Sequence, residues 1–387
     1  MSRDLVHRHP VPPDLAFPID EYRARVRRVQ AHMADRGFDG LVLHQPENLS
    51  YLSGLNIGTG YFAYHALVIP AEGEPVLVLR DVEEPAAQQT CWLEQWSKYG
   101  DAEPEPVAAT KRAVEDLGLD RGTIGVDEYS WYLTLERFGA LRRLLPKVTF
   151  AAEPRIVDDL RLIKSANEVE YIRQAARNVE AAMTAGISAV AAGKSEHELS
   201  AAIVDVQVRT GNGRYGGVVV SGERALQFHG VSTGRKLELG DLVKYELSGV
   251  INGYVARMMR SAVVGPASEA QRAATAVLRE SQDTAFEMMA PGQSAREIAE
   301  ACRGPILASR LTDRYDYRVG YGLGLISYPS AGDFSREFTP QADWELEPGM
   351  VFHMLVHAQG FSLSETVLVT ESGHELLTSF DRVLFET

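Results

Sequence analysis

The stretch 241-DLVKYELSGVINGYVARMMRSAVVG-265 decides how this chain is read. Two long strand-like runs, 241–251 and 253–265, make up almost all of it. Side chains alternate along a strand, so Glu246 shares a face with Lys244 and Ser248, while Tyr245 and Leu247 point the other way. Eleven residues beyond Glu246 stands Arg257 rather than a second carboxylate. The question is whether these strands line a metal centre or a pocket that works without one.

Outward from that stretch the texture is α+β. Helical spacing covers 159–190 and 195–211, with Ser165 as N-cap and Glu168 completing a capping box. A strand fits 216–222, helices fit 267–290 and 294–310, and a β-rich tail runs from Tyr317 to the end. Toward the N-terminus, strands alternate with helices: a helix over 19–37, strands at 40–44, 65–70 and 74–79, a helix at 105–118, a strand at 123–127, a helix at 131–145 and a strand at 147–151. That alternation predicts an α/β domain. The expected organisation is an extended arm over 1–18, an α/β domain over 19–155 and an α+β domain over 156–387. No internal repeat or low-complexity segment interrupts it.

Bulk properties narrow the function. A chain of 387 residues has room for two domains or three. Its net charge of −14 argues against nucleic acid, which needs concentrated Lys and Arg, but not against a small cationic or zwitterionic substrate. The two cysteines, Cys91 and Cys302, are far apart and suggest neither a metal pair nor a disulfide framework, so the cytoplasm is the expected compartment. The first residues, MSRDLVHRHPVPPDL, lack the apolar core of a signal peptide, and no apolar run is long enough for a membrane helix. There is no P-loop, dinucleotide fingerprint or serine-hydrolase elbow. The run 320-GYGLG-324 lacks the strand-to-helix switch and the lysine of a phosphate loop.

Six motifs occur in order: 227-QFHG-230, 235-RKLELGDLVKYELSG-249, 253-GYVARMMRS-261, 319-VGYGLGLISYP-329, 347-EPGMVF-352 and 364-SETVLVTESG-373. Their order and spacing resemble the pita-bread family of methionine aminopeptidase, aminopeptidase P, prolidase and creatinase. The N-terminal part, with 163-IKSANEVEYIRQA-175, resembles the creatinase and prolidase N-terminal domain. The resemblance implies an α/β creatinase-like domain followed by an α+β pita-bread domain, and a homodimer.

Family metallopeptidases hold two divalent ions with two Asp, one His and two Glu. Carried over by position, these are Glu246, Arg257, Tyr321, Leu355 and Glu365 here. Leu355 offers no lone pair, and Arg257 repels a cation. At about 4 Å and an effective dielectric of about 20, a unit positive charge against a divalent ion costs about 8 kcal/mol. The expectation is therefore no metal and no cofactor. Within the family the sequence is similar to the metal-free group of creatinase and ectoine hydrolase. Glu246, Tyr254, Arg260, the GYGLG run, Phe352-His353 and the SET triplet carry that similarity, and His229 falls at the catalytic histidine of creatinase. The sequence departs from creatinase at Met259 and Leu355, where its substrate-binding glutamates fall, and near Ala63, where its N-domain arginine falls. It departs from ectoine hydrolase at 330-SAGDFS-335.

The resemblance implies a metal-independent hydrolase of a non-peptide C–N bond in a small amidine- or guanidine-like amino acid derivative. Glu246 and Glu365 would grip the cationic centre, and His229 would move protons, as histidine does near neutral pH. Arg257 or Arg260 would bind the substrate carboxylate. Tyr321 and His353 are expected to contact the reacting centre, with His357 less clearly placed. Tyr61, Tyr64 and His65, in 58-GTGYFAYHA-66, correspond to a loop that caps a partner's site in creatinase-like dimers. Two alternatives stay open: a metallopeptidase acting on Xaa-Pro peptides, and a catalytically silent binding homologue.

Overall fold

The computed structural model describes residues 11–56, 63–102, 105–211, 213, 216–327, 330 and 332–387. They fall into two compact units, Met1–Arg161 and Leu162–Thr387.

The first unit begins with α1 (Ile19–Arg36), β1 (Gly40–Leu43), α2 (Pro46–Ser53), β2 (Ala66–Pro70) and β3 (Val76–Arg80). It continues through α3 (Glu84–Thr90), β4 (Trp96–Tyr99), α4 (Val107–Asp116) and β5 (Thr123–Val126) to α5 (Leu135–Leu144), β6 (Thr149–Ala152) and α6 (Ile156–Leu162). Its six strands run in the order β4-β3-β2-β1-β5-β6. Pairing is antiparallel through β1, β2 and β3 and parallel elsewhere, as expected of a mixed α/β sheet. Helix α1 buries Tyr22, Val26, Val29 and Met33, the stripe of a 3.6-residue period, and stops at Gly37 with φ 70°. The helix expected from 131 starts at Leu135, because Thr134 caps it by accepting the Arg137 N–H at 3.2 Å.

The units divide after Arg161 rather than after 155. Helix α6 is tied into the first unit through Asn48 of α2, which bonds Asp158 at 3.2 Å and Arg161 at 3.0 Å. The helical stretch over 159–190 is thus two helices with a break between them.

In the second unit the helices α7 (Ala166–Ser188) and α8 (Glu196–Thr210) precede β7 (Gly217–Ser221), β8 (Leu242–Ile251) and β9 (Tyr254–Val263). Helices α9 (Glu269–Met288) and α10 (Ala295–Ala308) follow, then β10 (Gly320–Gly322), β11 (Asp333–Phe338), β12 (Val351–Ala358) and β13 (Phe361–Val369). Short strands β14 (His374–Leu376) and β15 (Phe385–Glu386) end the chain. The capping box opens α7 as expected: Ser165 accepts the Glu168 N–H at 3.2 Å and Glu168 accepts the Ser165 N–H at 2.8 Å. The nine-stranded sheet has the path β11-β10-β12-β13-β9-β8-β7. Strands β8 and β9 join through Asn252 and Gly253, with φ 49° and 82°, the two left-handed residues of a tight hairpin turn.

One face of this sheet is covered by helices. Tyr245 of β8 donates to the Gly186 carbonyl of α7 at 2.9 Å. At Gly249 a Cβ would stand 2.0 Å from the Ala175 carbonyl, so only glycine lets α7 come this close. On β12 and β13, Phe352, Met354, Val356, Leu363 and Val367 join Leu278, Phe286 and Ile298 of α9 and α10 in one core. The opposite face therefore carries Lys244, Glu246, Arg257, His353 and Ser364. Cys91 and Cys302 are buried and free. Among the described residues no helix is long and apolar enough to cross a membrane.

Candidate active site

Strand register arranges the face opposite the helices in rows. Glu246, Met259, Ser364 and Leu355 lie side by side across β8, β9, β13 and β12. The next row holds Ser248, Arg257, Thr366, His353 and Tyr321. Thr366 locks it in place: its Oγ1 accepts the Arg257 N–H and donates to the Arg257 carbonyl, both at 2.9 Å. On the other side, Lys244 pairs with Ser261, the Ser362 N–H donates to Ser261 Oγ at 3.1 Å, and Ser362 pairs with His357.

Glu246 and Arg257, expected to lie in one pocket, form an ion pair between Oε1 and Nη2. Both are buried. Glu246 Oε2 is buried too and makes no hydrogen bond among the described residues. The Arg257 guanidinium lies 5.9 Å from the centre of the Tyr321 ring. The Tyr321 hydroxyl meets His353 Nδ1 at 2.9 Å, and His353 Nε2 meets Ser364 Oγ at 2.6 Å. Burial, with Arg257 adding to it, holds the His353 imidazole well below its ordinary range. Burial also pushes the Tyr321 phenol up to about 12, against the pull of Arg257. This wall of the site is therefore neutral near pH 7. With both ring nitrogens engaged, His353 orients Tyr321 and Ser364 rather than exchanging protons with water.

Glu365 and Arg260 are placed differently from expectation. Both lie on the helix-covered face, Glu365 between Leu363 and Val367. Arg260 Nη2 donates to Glu365 Oε1 at 2.6 Å, and Thr378 donates to Oε2. Burial raises the Glu365 carboxyl, and Arg260 opposes it most strongly. The residue of β13 that faces Glu246 is Ser364. The error is a slip of one position, which in a strand turns a side chain to the other face. The signal was in the sequence: 361-FSLSETVLV-369 is apolar at 361, 363, 367 and 369, which puts Glu365 on the apolar face.

His229 is exposed, on the loop after a short helical turn at Gly222–Leu226. That loop reaches the Lys244 end of the face opposite the helices. Lys244 Nζ donates to the carbonyls of Gln227 and Phe228, the latter at 3.1 Å. Phe228 stacks on Tyr317 with ring centroids 5.3 Å apart, and stands 4.1 Å from His357 and 4.8 Å from His229. Burial first, then Lys244 and His229, push His357 down to about 3. Lys244 itself is lowered to about 8 by burial, against the pull of Glu246. Lys244, Ser364, Phe228 and Tyr317 were not expected at the site. Lys244 had a sequence signal in the strand face it shares with Glu246, and Ser364 had one in the alternation of β13.

In the first unit, Tyr64 and His65 are buried within the fold rather than exposed. Tyr64 is buried, with its hydroxyl 2.8 Å from Thr110 Oγ1 and 3.2 Å from His44 Nε2. His65 is buried with its Nε2 2.6 Å from Glu83 Oε2. Both sit where β2 begins, so their rings are drawn into the domain's own core and polar contacts. Tyr61 lies outside the described residues.

A dinuclear metal centre does not fit these residues. The five ligand positions, read from the strand faces, present Glu246, Arg257, Tyr321, Leu355 and Ser364. Only one of them is a carboxylate, and it already holds a guanidinium. Among the described residues no three His, Cys, Asp or Glu converge as metal ligands. Cations of this kind need several anionic or imidazole donors.

Comparison with known proteins agrees with the fold. Residues 25–163 match the creatinase/prolidase N-terminal domain, and residues 170–371 match metallopeptidase family M24. An ectoine hydrolase of Halomonas elongata is 30% identical, over 96% of this chain and 98% of that one. A Xaa-Pro dipeptidase of Pyrococcus furiosus is 26% identical, over 94% of this chain and 99% of that one. The recombinant prolidase of Thermococcus sibiricus has the same fold, with a TM-score of 0.83 at 23% identity over 95% of this chain and 99% of that one. The motif order, the two-domain architecture and the full-length similarity converge: the chain belongs to metallopeptidase family M24, in its creatinase/prolidase branch, and is a hydrolase of that family.

Proposed function

We propose that this hydrolase cleaves a non-peptide C–N bond in a small amidine- or guanidine-like amino acid derivative, without a metal. The observation that carries the reading is Glu246. One of its oxygens is committed to Arg257, and the other is buried with no hydrogen bond among the described residues. A buried carboxylate oxygen without a partner is costly, and an amidinium N–H satisfies it with a charge-assisted bond. The relative named ectoine hydrolase supports the substrate class.

In this reading Glu246 Oε2 accepts one amidinium N–H and holds the substrate cation. Arg257 meets the substrate carboxylate. Water attacks the amidine carbon and His229 takes its proton. His229 then returns that proton to the departing nitrogen as the C–N bond breaks, and the adduct's hydroxyl proton passes to the amine, leaving a neutral amide, or a urea from a guanidine, and an ammonium. Neutral Tyr321 and His353 form the wall beside Arg257 and add no competing charge. Met259 and Leu355 give the row of Glu246 an apolar floor. A homodimer is part of the reading, and light scattering checks it.

The test is hydrolysis of a panel of cyclic amidines and guanidino acids, ectoine included, by chelator-treated enzyme. Activity retained after chelation, with substoichiometric metal in the preparation, supports the reading. Activity that vanishes and returns with Mn or Zn sinks it, and cleavage of Xaa-Pro dipeptides by that form points to a peptidase. Binding of a small zwitterion without turnover indicates a silent homologue.

A further inference from the structure

Lys244 is a buried cation of the site that the proposed reaction does not use. It stands on β8 two residues before Glu246, and the same face carries both. Its ammonium is spent on backbone: it donates to the carbonyls of Gln227 and Phe228, the two residues just before His229. The rest of that loop is held at its ends. Upstream, the Gln227 N–H donates to the Arg224 carbonyl at 3.1 Å. Downstream, Gly230 passes so close to β7 that a Cβ would stand 2.7 Å from Val220 Cγ1. Ser232 Oγ then donates to the Val219 carbonyl at 2.9 Å. Between those anchors, Phe228, His229 and Gly230 make no backbone N–H bond among the described residues, and the His229 ring has no hydrogen-bond partner there. Lys244 and the stacking of Phe228 on Tyr317 and His357 hold the middle of the loop.

We propose that Lys244 is a positioning residue: by gripping the 227 and 228 carbonyls from the strand that carries Glu246, it sets where the His229 imidazole stands over the site. This rests on His229 being the proton carrier. A charged donor makes a bond roughly twice as strong as a neutral one, so the grip is firm while Lys244 is protonated and weakens when it is not. Burial lowers Lys244 to about 8, within the working range of an enzyme. The groups that interact with it are Glu246 on its own strand, which favours the charge, and His357 from β12, which it pushes down; His229 also acts on His357. Ser261 of β9 and Ser362 of β13 lie beside it and are uncharged.

The proposal is separable from the reaction itself. The first experiment follows the His229 ring by NMR in histidine-labelled full-length protein, assigned with His229→Gln and titrated from pH 6 to 9.5 without ligand. In the wild type the ring signal moves through a step with its midpoint near 8. In Lys244→Arg, which stays charged, the step near pH 8 is absent. In Lys244→Met the ring is mobile at every pH. A step near pH 8 that persists in Lys244→Met or Lys244→Arg overturns the proposal, whatever the enzyme hydrolyses. On any amidine that is turned over, Lys244→Met lowers kcat about 100-fold with KM within about 3-fold, as expected when a reacting group is misplaced by about 1 Å. A raised KM with kcat unchanged assigns Lys244 to substrate binding and ends the positioning role. If no amidine is hydrolysed but the NMR step follows Lys244, the reaction assigned above fails while the grip on the loop stands.

Discussion

The central sheet carries two arginine–glutamate pairs, one on each face, three residues apart along β9. Their chemistry is the same and their surroundings are opposite. On the helix-covered face Arg260 is saturated. Its Nε donates to the Asp381 carbonyl, Nη1 to Met259 and Ser364, and Nη2 to Phe380 and Glu365, which occupies all five N–H donors of a guanidinium. Both oxygens of Glu365 are taken, by Arg260 and Thr378, with Arg382 3.8 Å away. On the opposite face Glu246 keeps one buried oxygen with no hydrogen bond among the described residues. A buried ion pair is thus no sign of a functional site by its nature. What distinguishes the two is whether the polar atoms are already satisfied.

Breaking the saturated pair should cost the most. Arg260→Met strands Glu365 among Leu363 and Val367, and should lower unfolding free energy by about 3–5 kcal/mol in urea titration. A variant as stable as the wild type would remove the structural role given to that face. Next in size, Glu246→Gln should reduce kcat/KM by about 100- to 1000-fold, because an oriented acceptor loses its charge at the reacting cation. Its unfolding midpoint should move far less than that of Arg260→Met, and the reverse order would dissolve the contrast. Tyr321→Phe removes one hydrogen bond to His353 and should cost about 1–2 kcal/mol, shared between melting temperature and turnover.

The smallest effect sharpens the open face through pH. Folding lowers Lys244 from its ordinary value to about 8, so the folded state releases a proton that the unfolded chain still binds. The burial cost is fully present below pH 8. It is relieved as pH rises from about 8 toward the ordinary lysine value, and stability should climb there by about 1–2 kcal/mol relative to Lys244→Met. Denaturation curves of the two proteins at pH 7 and 10 measure it, and parallel curves would show that Lys244 is not desolvated. The same deprotonation weakens the hold on the His229 loop, so global stability and loop order move in opposite directions.

How far the site was legible depends on the strand. Along β8, Glu246 alternates with Tyr245 and Leu247, and the face it shares with Lys244 follows from period two. Strand β9 offers no such guide. It is buried on both sides from Tyr254 to Val263, so nothing in 254-YVARMMRSAV-263 tells which arginine looks into the site. On β13 the alternation was present, yet aligning the motif by its glutamate instead of by its apolar positions chose the wrong face. Tyr64 and His65 failed for another reason. An aromatic and a histidine at a strand start look alike whether they reach outward or bond to Thr110 and Glu83 inside the domain.

Sequence alone determined the two-domain order, the six motifs in register and the loss of ligand types at Arg257, Tyr321 and Leu355, since residue identity settles what can coordinate a cation. Tertiary structure alone decided that Ser364 rather than Glu365 faces Glu246, that Arg257 rather than Arg260 is its partner, and that Lys244 holds the His229 loop. Each of these depends on which side of a sheet a side chain leaves and on carbonyls that arrive from distant segments, Gln227 and Phe228 in one case, Phe380 and Asp381 in the other. Those contacts exist only once the strands have paired and the helices have claimed one face.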